Sequence, residues 1–356
     1  MAQTDPAGFR GEQSLAADPP PQNNTADPPP QNNTADPRPQ NNTARGASFG
    51  DLFNQVVAST ARALHGKSDV IRSALTCLLA EGHLLIEDVP GVGKTTLAKA
   101  LARSLNLGVG RIQFTPDLLP ADVVGSTVWN SGDGSFEFHP GPVFTNLVLG
   151  DEINRASPKT QSALLEAMEE HQVTADGTSR GLPRPFMVIA TQNPAEHHGT
   201  FPLPESQLDR FLMRLSVGYP SQAHEVALLS ESDHAHALER VEPVVDAAGV
   251  LALTRAAEGV HVETSLAAYV VELATMTRDD PDVILGVSPR ACLGLLRAAR
   301  VNAASQGRNF VTADDVKQLA EPVLAHRLVL SGSAVARGND SSAFVNNLID
   351  AAPITG

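Results

Sequence analysis

The stretch Asp88-Val89-Pro90-Gly91-Val92-Gly93-Lys94-Thr95-Thr96 decides how the rest of this chain is read. It follows the apolar run His83-Leu84-Leu85-Ile86-Glu87 and opens a helix-compatible segment over residues 97–102. Strand, glycine loop, Gly-Lys-Thr and helix is the order that a nucleotide phosphate cradle requires. Backbone N–H groups of the loop and of the helix N-terminus would point at the phosphates, where negative charge is favoured. Candidate nucleotide contacts therefore run through Pro90, Gly91, Val92, Gly93, Lys94, Thr95 and Thr96. Lys94 would reach the β- and γ-phosphates, and the Thr95 hydroxyl would help hold Mg²⁺. The pattern departs at one place: Asp88 stands at the first position, where the general motif has glycine.

Two further runs supply the partners that a phosphate loop needs. Leu147-Val148-Leu149-Gly150-Asp151-Glu152 is an apolar strand candidate ending in two acids. Beside the loop, Asp151 would hold Mg²⁺ through water, and Glu152 would orient and polarise the attacking water. Phe186-Met187-Val188-Ile189-Ala190-Thr191-Gln192-Asn193-Pro194 is a second buried strand with polar residues at its end. Asn193 would contact the γ-phosphate or the lytic water; an ordinary turn asparagine before Pro194 is the competing reading.

The remaining composition sets bounds. The chain has 356 residues and a net charge of −14, which argues against a broad nucleic-acid or anionic-membrane footprint. Its two cysteines, Cys77 and Cys292, are far apart in helix-patterned segments and read as buried thiols, not a disulfide framework. No run of 18 or more apolar residues predicts a membrane span, and the polar N-terminus has no signal-peptide pattern, so a cytoplasmic location is expected. Residues 1–47 carry the nine-residue unit Ala17-Asp18-Pro19-Pro20-Pro21-Gln22-Asn23-Asn24-Thr25, repeated at 26–34 and, with Arg38 replacing a proline, at 35–43. Such a polar repeat cannot bury apolar surface to offset its ordering entropy, and it reads as a disordered tail.

Apolar spacing predicts two helices between Phe49 and Gly82, broken at His65-Gly66-Lys67. Short apolar runs then alternate with helical segments to about Pro220, the signature of a mostly parallel sheet in an α/β fold. Beyond Ser221, Ala- and Leu-rich helical segments take over at Ala247–Glu258, 266–276, 290–304 and 313–325. The expected domains are a core over 48–220, a helical domain over 221–335 and a tail over 336–356. Gly125–Asn130 and Ser135-Phe136-Glu137-Phe138-His139 flank Ser131-Gly132-Asp133-Gly134 and read as a β-hairpin. A second hairpin is expected through Gln172-Val173-Thr174-Ala175-Asp176-Gly177. Metal binding at Glu196-His197-His198 is disfavoured, because adjacent histidines cannot easily share one ion. His234 and His236 read as a solvated helix face.

The phosphate loop, Leu149-Gly150-Asp151-Glu152-Ile153-Asn154-Arg155-Ala156, Ala190-Thr191-Gln192-Asn193-Pro194, Leu203-Pro204-Glu205-Ser206-Gln207-Leu208-Asp209-Arg210-Phe211 and Ser288-Pro289-Arg290-Ala291 occur in this order. Together they resemble the MoxR family of AAA+ ATPases, in the group with a β-hairpin inserted in helix 2, over residues 49–330. The resemblance implies an AAA+ P-loop core with a mostly parallel sheet and an all-α lid. It also implies ATP and Mg²⁺ as cofactors, and a homo-oligomeric ring, commonly of six subunits. Asn193 resembles the sensor-1 asparagine, Arg210 the arginine finger acting on the adjacent subunit, and Arg290 the sensor-2 arginine closing over the nucleotide. Arg214, four residues on, is the alternative to Arg210. His65 and Lys67 fall near where such proteins hold adenine. The first hairpin matches the pore-facing insert, so Trp129 either touches substrate or anchors the hairpin in a buried position.

The implied function is chaperone-like remodelling or assembly of a protein client, with a von Willebrand factor A domain protein as a candidate partner. A nucleic-acid-remodelling motor is one alternative, disfavoured because residues 125–139 hold no Lys or Arg. It stays open through Arg180 and Arg184 near the second hairpin. A motor subunit of a metal-chelatase-type complex is the other alternative.

Overall fold

The computed structural model describes residues 47–132, 134–193, 199–230 and 234–352. The chain enters through α1 (Phe49–Ala61), whose N-cap Ser48 and third residue Asp51 form a reciprocal capping box. α2 (Ser68–Leu79) follows the predicted break, where Gly66 takes the left-handed conformation. β1 (Leu84–Glu87) leads through the glycine loop into α3 (Lys94–Ser104), and β2 (Val109–Gln113) follows. A one-turn helix, α4 (Pro120–Val124), then delivers the hairpin of β3 (Gly125–Asn130) and β4 (Ser135–Pro140). β5 (Leu147–Asp151) ends at the acid pair, and α5 (Pro158–Glu170) starts at the Ser157 cap, with Pro158 at its first position. The second hairpin is β6 (Gln172–Ala175) and β7 (Thr178–Gly181), followed by β8 (Met187–Gln192), α6 (Glu205–Leu208) and β9 (Met213–Leu215).

Five strands form one parallel sheet in the order β2-β5-β8-β1-β9. Alternate residues face opposite sides, as strand geometry requires. Leu84 and Ile86, Leu147 and Leu149, and Met187 and Ile189 join one apolar cluster with α1, α2, α3 and the lid helices. Leu85, Val148, Val188 and Ala190 join a second cluster with α5, Phe114 and Phe211. Near-continuous apolar strands are what a sheet covered on both faces demands.

The lid comprises α7 (Gln222–Ser230), α8 (Ala247–Glu258), α9 (Thr264–Asp279), β10 (Val283–Leu285), α10 (Pro289–Ser305), α11 (Ala313–Leu324), β11 (Val329–Leu330), α12 (Gly332–Ala336) and α13 (Ser341–Ala351). Within this helical layer β10 and β11 pair antiparallel as a short ladder. The segment after 335, expected as a tail, instead carries α13, which buries Val345, Leu348 and Ile349 against the lid. An Asp340 cap starts that helix, and its apolar stripe is held by α11 and α9, against which it packs. Cys77 is buried as expected and burial raises its thiol pKa, whereas Cys292 is only half-buried. Residues 1–46 and the Glu196-His197-His198 cluster lie outside the described residues, as do the His234 and His236 side chains.

His83, at the foot of β1, ties three elements together. Its Nδ1 accepts from the Val188 amide at 3.0 Å, so Nε2 carries the hydrogen and donates to the Met168 carbonyl at 3.0 Å. Burial pushes its pKa down to about 3, and His326, donating to the Phe211 carbonyl, is held well below its ordinary value for the same first reason. A folded-state pKa below the unfolded value means the unfolded chain binds the proton first as pH falls. Stability is therefore expected to be full above about pH 6.5 and to decline towards pH 3, by about 2 kcal/mol for His83 at pH 5, with His326 adding in the same direction. Denaturant melts at pH 7 and pH 5 check this, and His83→Gln is expected to flatten the slope; an unchanged slope would refute the assignment.

Candidate functional site

Because the strands are parallel, the C-terminal ends of β1, β5 and β8 meet at one edge of the sheet. Asp88 leaves β1 there, with its amide donating to the Gln192 carbonyl at 3.2 Å, next to Asn193. Gly91 and Gly93 have φ values of +85° and +96°, which L side chains rarely adopt, and a Cβ built on Gly93 would come within 2.9 Å of Leu64. Gly93 caps α3 without any side-chain hydrogen bond, so the helix N-terminus, where negative charge is favoured, directly follows the glycine loop. Lys94 sits on that turn and its Nζ donates to the Asp88 carbonyl at 2.7 Å. Thr95 and Thr96 follow on the same turn.

Asp151 is buried at the end of β5, and its Oδ2 accepts from Arg111 Nε at 2.8 Å. Glu152 stands in the left-handed conformation, φ +58°, and its amide donates to Thr191 Oγ1 at 3.0 Å. Its carboxylate is engaged by Arg155 Nη1 at 3.1 Å and Gln113 Nε2 at 3.2 Å. Asn193 is buried at the end of β8. The structure thus gathers Lys94, Thr95, Asp151, Glu152 and Asn193 on one edge. One buried carboxylate and one hydroxyl, both hard oxygen donors, suit Mg²⁺ held jointly with substrate phosphates, and no cluster of three metal-ligating side chains occurs among the described residues. Beside the loop, Ala63, Leu64, His65, Lys67, Gly91, Val92, Gly93, Pro220 and His224 line a pocket of about 220 Å³, of a size and apolarity suited to a base.

The arginines lie elsewhere. Arg210 Nη2 and Arg290 Nη1 pair with the two oxygens of one carboxylate, Glu169, at 2.9 and 3.0 Å. They line a cavity of about 190 Å³ with Gly82 and His83, at the N-terminal end of β1, whereas the phosphate loop follows the C-terminal end. Arg290 thus stands beside Glu169 at the edge of the sheet opposite its own chain's phosphate loop. The cause is the lid's packing: α10 lies against α1, α2 and α8, which places its first turn beside the end of α5. Arg214 is paired within the chain, its Nη1 donating to Glu87 Oε2 on the neighbouring strand at 3.0 Å. Spacing alone had no means of revealing Glu169, Arg111 or Gln113 as partners, because each contact joins elements set side by side only by the fold, whereas Arg155 pairs with Glu152 three residues away.

Both hairpins form where expected, the turn of the first being described except for Asp133. Trp129 is 53 % exposed, packed edge-to-face on Phe136, which removes the buried-anchor reading. Arg180 lies 3.9 Å from the Phe138 ring centroid and donates to the Ala175 and Thr178 carbonyls, so it joins the two hairpins.

Comparison with known proteins bears on this arrangement. Residues 83–213 match the model of the ATPase family associated with various cellular activities, and 275–348 match the AAA lid domain. The chain is 39 % identical over 297 residues to chaperone MoxR1 of Mycobacterium tuberculosis, covering 81 % of this chain and 78 % of that protein. It is 34 % identical over 311 residues to MoxR of Paracoccus denitrificans, covering 81 % and 90 %.

The chain belongs to the MoxR family of AAA+ ATPases.

YeaC of Bacillus subtilis, an uncharacterized protein, is 47 % identical over 303 residues, covering 85 % of this chain and 95 % of that one. A crystal structure of a candidate ATPase from Cytophaga hutchinsonii superposes with a TM-score of 0.81 at 35 % identity, covering 86 % and 96 %. As a MoxR-family member the chain is a P-loop enzyme that hydrolyses ATP. No helix among its described residues is long and apolar enough to cross a membrane. Arg214→Ala is expected to lower stability by about 1 kcal/mol, a melting shift of a few degrees, through loss of the half-buried Glu87 pair. Thermal melts check this, and an unshifted melting temperature would free Arg214 for a role outside its own chain.

Proposed function

We propose that this MoxR-family ATPase works as a homo-oligomeric ring, commonly six copies in AAA+ proteins, whose ATP cycle remodels or helps assemble a protein client. The observation that carries the reading is the separation of the two halves of the site. Lys94, Asp151, Glu152 and Asn193 stand at one edge of the sheet, and Arg210 with Arg290 stand at the other. Arg111 and Arg155 at the nucleotide edge are engaged by Asp151 and Glu152, and Arg210 or Arg290 could act only on the nucleotide of a second copy, which requires assembly. Cytoplasmic location and a von Willebrand factor A domain partner belong to the same proposal.

In this reading the α3 N-terminus and Lys94 bind the β- and γ-phosphates, and the Gly91–Gly93 backbone approaches them without side-chain obstruction. Thr95 and Asp151 hold Mg²⁺, which supplies neutralisation of charge on the phosphate oxygens. Glu152, released from Arg155 and Gln113, orients the attacking water and accepts its proton. Asn193 contacts the γ-phosphate or that water. Arg210 and Arg290, released together from Glu169, face the neighbouring subunit's nucleotide, a contribution worth about 10³–10⁵ in rate for an arginine supplied in trans. The chaperone reading is supported by the name of one relative, MoxR1, and by the exposed Trp129–Phe136 pair on a hairpin without Lys or Arg.

Lys94→Ala is expected to abolish detectable ATP binding by calorimetry; unaltered binding would overturn the cradle assignment. Arg210→Ala is expected to bind ATP normally and lose hydrolysis by at least about 10³-fold. Mixing it with Glu152→Gln is expected to recover part of the rate, because each supplies what the other lacks. Failure to recover in assembled mixed rings would count against Arg210 as the trans group. Capture of clients on Glu152→Gln with ATP, with and without nuclease, tests the remodelling reading; nuclease-sensitive capture of nucleic acid would overturn it.

A further inference from the structure

Asp88 occupies the one position at which the phosphate loop departs from the general pattern, and phosphate binding by itself gives its side chain no task. The residue is buried, 8 % exposed, and its carboxylate accepts three hydrogen bonds. The Val89 amide donates to Oδ1 at 2.9 Å; Ser216 Oγ and the Gly218 amide donate to Oδ2 at 3.0 and 2.6 Å. Burial alone would raise this carboxyl pKa, but the hydrogen bonds from Gly218, Ser216 and Val89 outweigh it and hold the group below the ordinary carboxylate range.

Two of the three partners, Ser216 and Gly218, lie on residues 216–221, the connector from β9 to the lid helix α7. The same connector walls the base pocket through Pro220, and Lys67 pins it from the other side by donating to the Tyr219 carbonyl at 2.8 Å. Gly218 turns there with φ +65°. Meanwhile the main-chain oxygen of Asp88 receives the Lys94 ammonium. A single residue therefore touches both the phosphate-binding lysine and the strip of chain that leads into the lid. Glycine at this position could keep the loop but could not reach the connector.

We propose that Asp88 is a positioning residue that registers the lid connector against the phosphate loop. The base and phosphate ends of ATP are then gripped as one unit, and nucleotide occupancy is transmitted to the lid. This rests on the ATP-binding reading of the loop. When Lys94 turns from the Asp88 carbonyl to a phosphate, the Asp88 peptide is freed while its carboxylate still holds Ser216 and Gly218. Loop rearrangement is thereby passed to the connector.

The test uses the full chain with Asp88→Ala, Asp88→Asn and Ser216→Ala. Affinities for ATP and for tripolyphosphate, which has no base, are measured by calorimetry, and hydrogen exchange is followed over 216–221 and the lid. Asp88→Ala is expected to bind ATP about tenfold more weakly, the scale of losing hydrogen bonds to a charged group, while tripolyphosphate affinity changes less than about twofold. ATP-induced protection of the connector and lid is expected to disappear. Asp88→Asn should lose less than Asp88→Ala, since its amide oxygen can keep both Ser216 and Gly218 while the amide nitrogen faces only Val89. Ser216→Ala should shift the ATP-to-tripolyphosphate ratio in the same direction by a smaller factor, and it carries the test if the Asp88 variants do not fold. Wild-type ATP affinity and protection in Asp88→Ala would overturn the proposal. An equal loss for both ligands would also overturn it, since Asp88 would then only shape the loop. Lys94→Ala separates the two layers: normal ATP binding in that variant would sink the underlying cradle reading, whereas its loss beside a normal Asp88→Ala sinks only this inference.

Discussion

Parallel pairing of β1 with β8, and of β8 with β5, is the constraint on which the rest of this molecule depends. A parallel sheet sends every strand's C-terminus to the same edge, so three loops of unrelated sequence converge there. The phosphate loop, the Asp151–Glu152 pair and Asn193 are each a strand ending. Their relative placement is set by backbone register, such as Glu87 opposite Gln192 and Gly150 opposite Ala190, and not by side-chain packing at the site. Rigid strand pairing is what lets polar groups be held close together where they have few apolar neighbours of their own.

The same geometry explains why the glycine loop and the Arg210–Glu169–Arg290 cluster stand at opposite edges of the sheet. What the sheet gathers at its C-terminal edge it necessarily withholds from the other. Arg210 precedes β9 and so belongs to the opposite edge, where the end of α5 offers Glu169. The lid joins this edge because Arg327 donates to the Asp209 and Phe211 carbonyls and Ser288, the cap of α10, donates to Asp209. The backbone on both sides of Arg210 is thus clamped by lid residues. At the other edge the connector 216–221 meets Asp88. One continuous lid thus touches both edges of the sheet, at Asp88 through the connector and around Arg210 through Ser288 and Arg327.

Much of the nucleotide edge was legible because its signals are local. Glycines at positive φ, a lysine and threonine on the first helical turn, and acids after an apolar run are each required by short-range chemistry, and they appear as contiguous motifs. The two hairpins were equally readable from alternation around Gly-Asp-Gly and Asp-Gly turns. The stretch after 335 was not read as a helix, because its burial depends on α11 and α9 being there to receive it. Arg290 was recognisable as a lid arginine, yet its orientation followed from how α10 packs, a contact between segments distant in sequence.

The sequence by itself determined the order of strand, glycine loop and helix, the acid pair at a strand end, and the α/β core followed by a helical lid. These follow from periodicity and local backbone chemistry, which act over a few residues. Only the tertiary structure decided that Arg210 and Arg290 share Glu169, that Arg214 is committed to Glu87, and that Asp88 reaches across to Ser216 and Gly218. Each of those pairs joins segments tens to more than a hundred residues apart. What brings them together is the parallel register of the sheet and the burial of the lid's apolar faces, and a charged side chain in sequence carries no mark of the partner that such folding will place beside it.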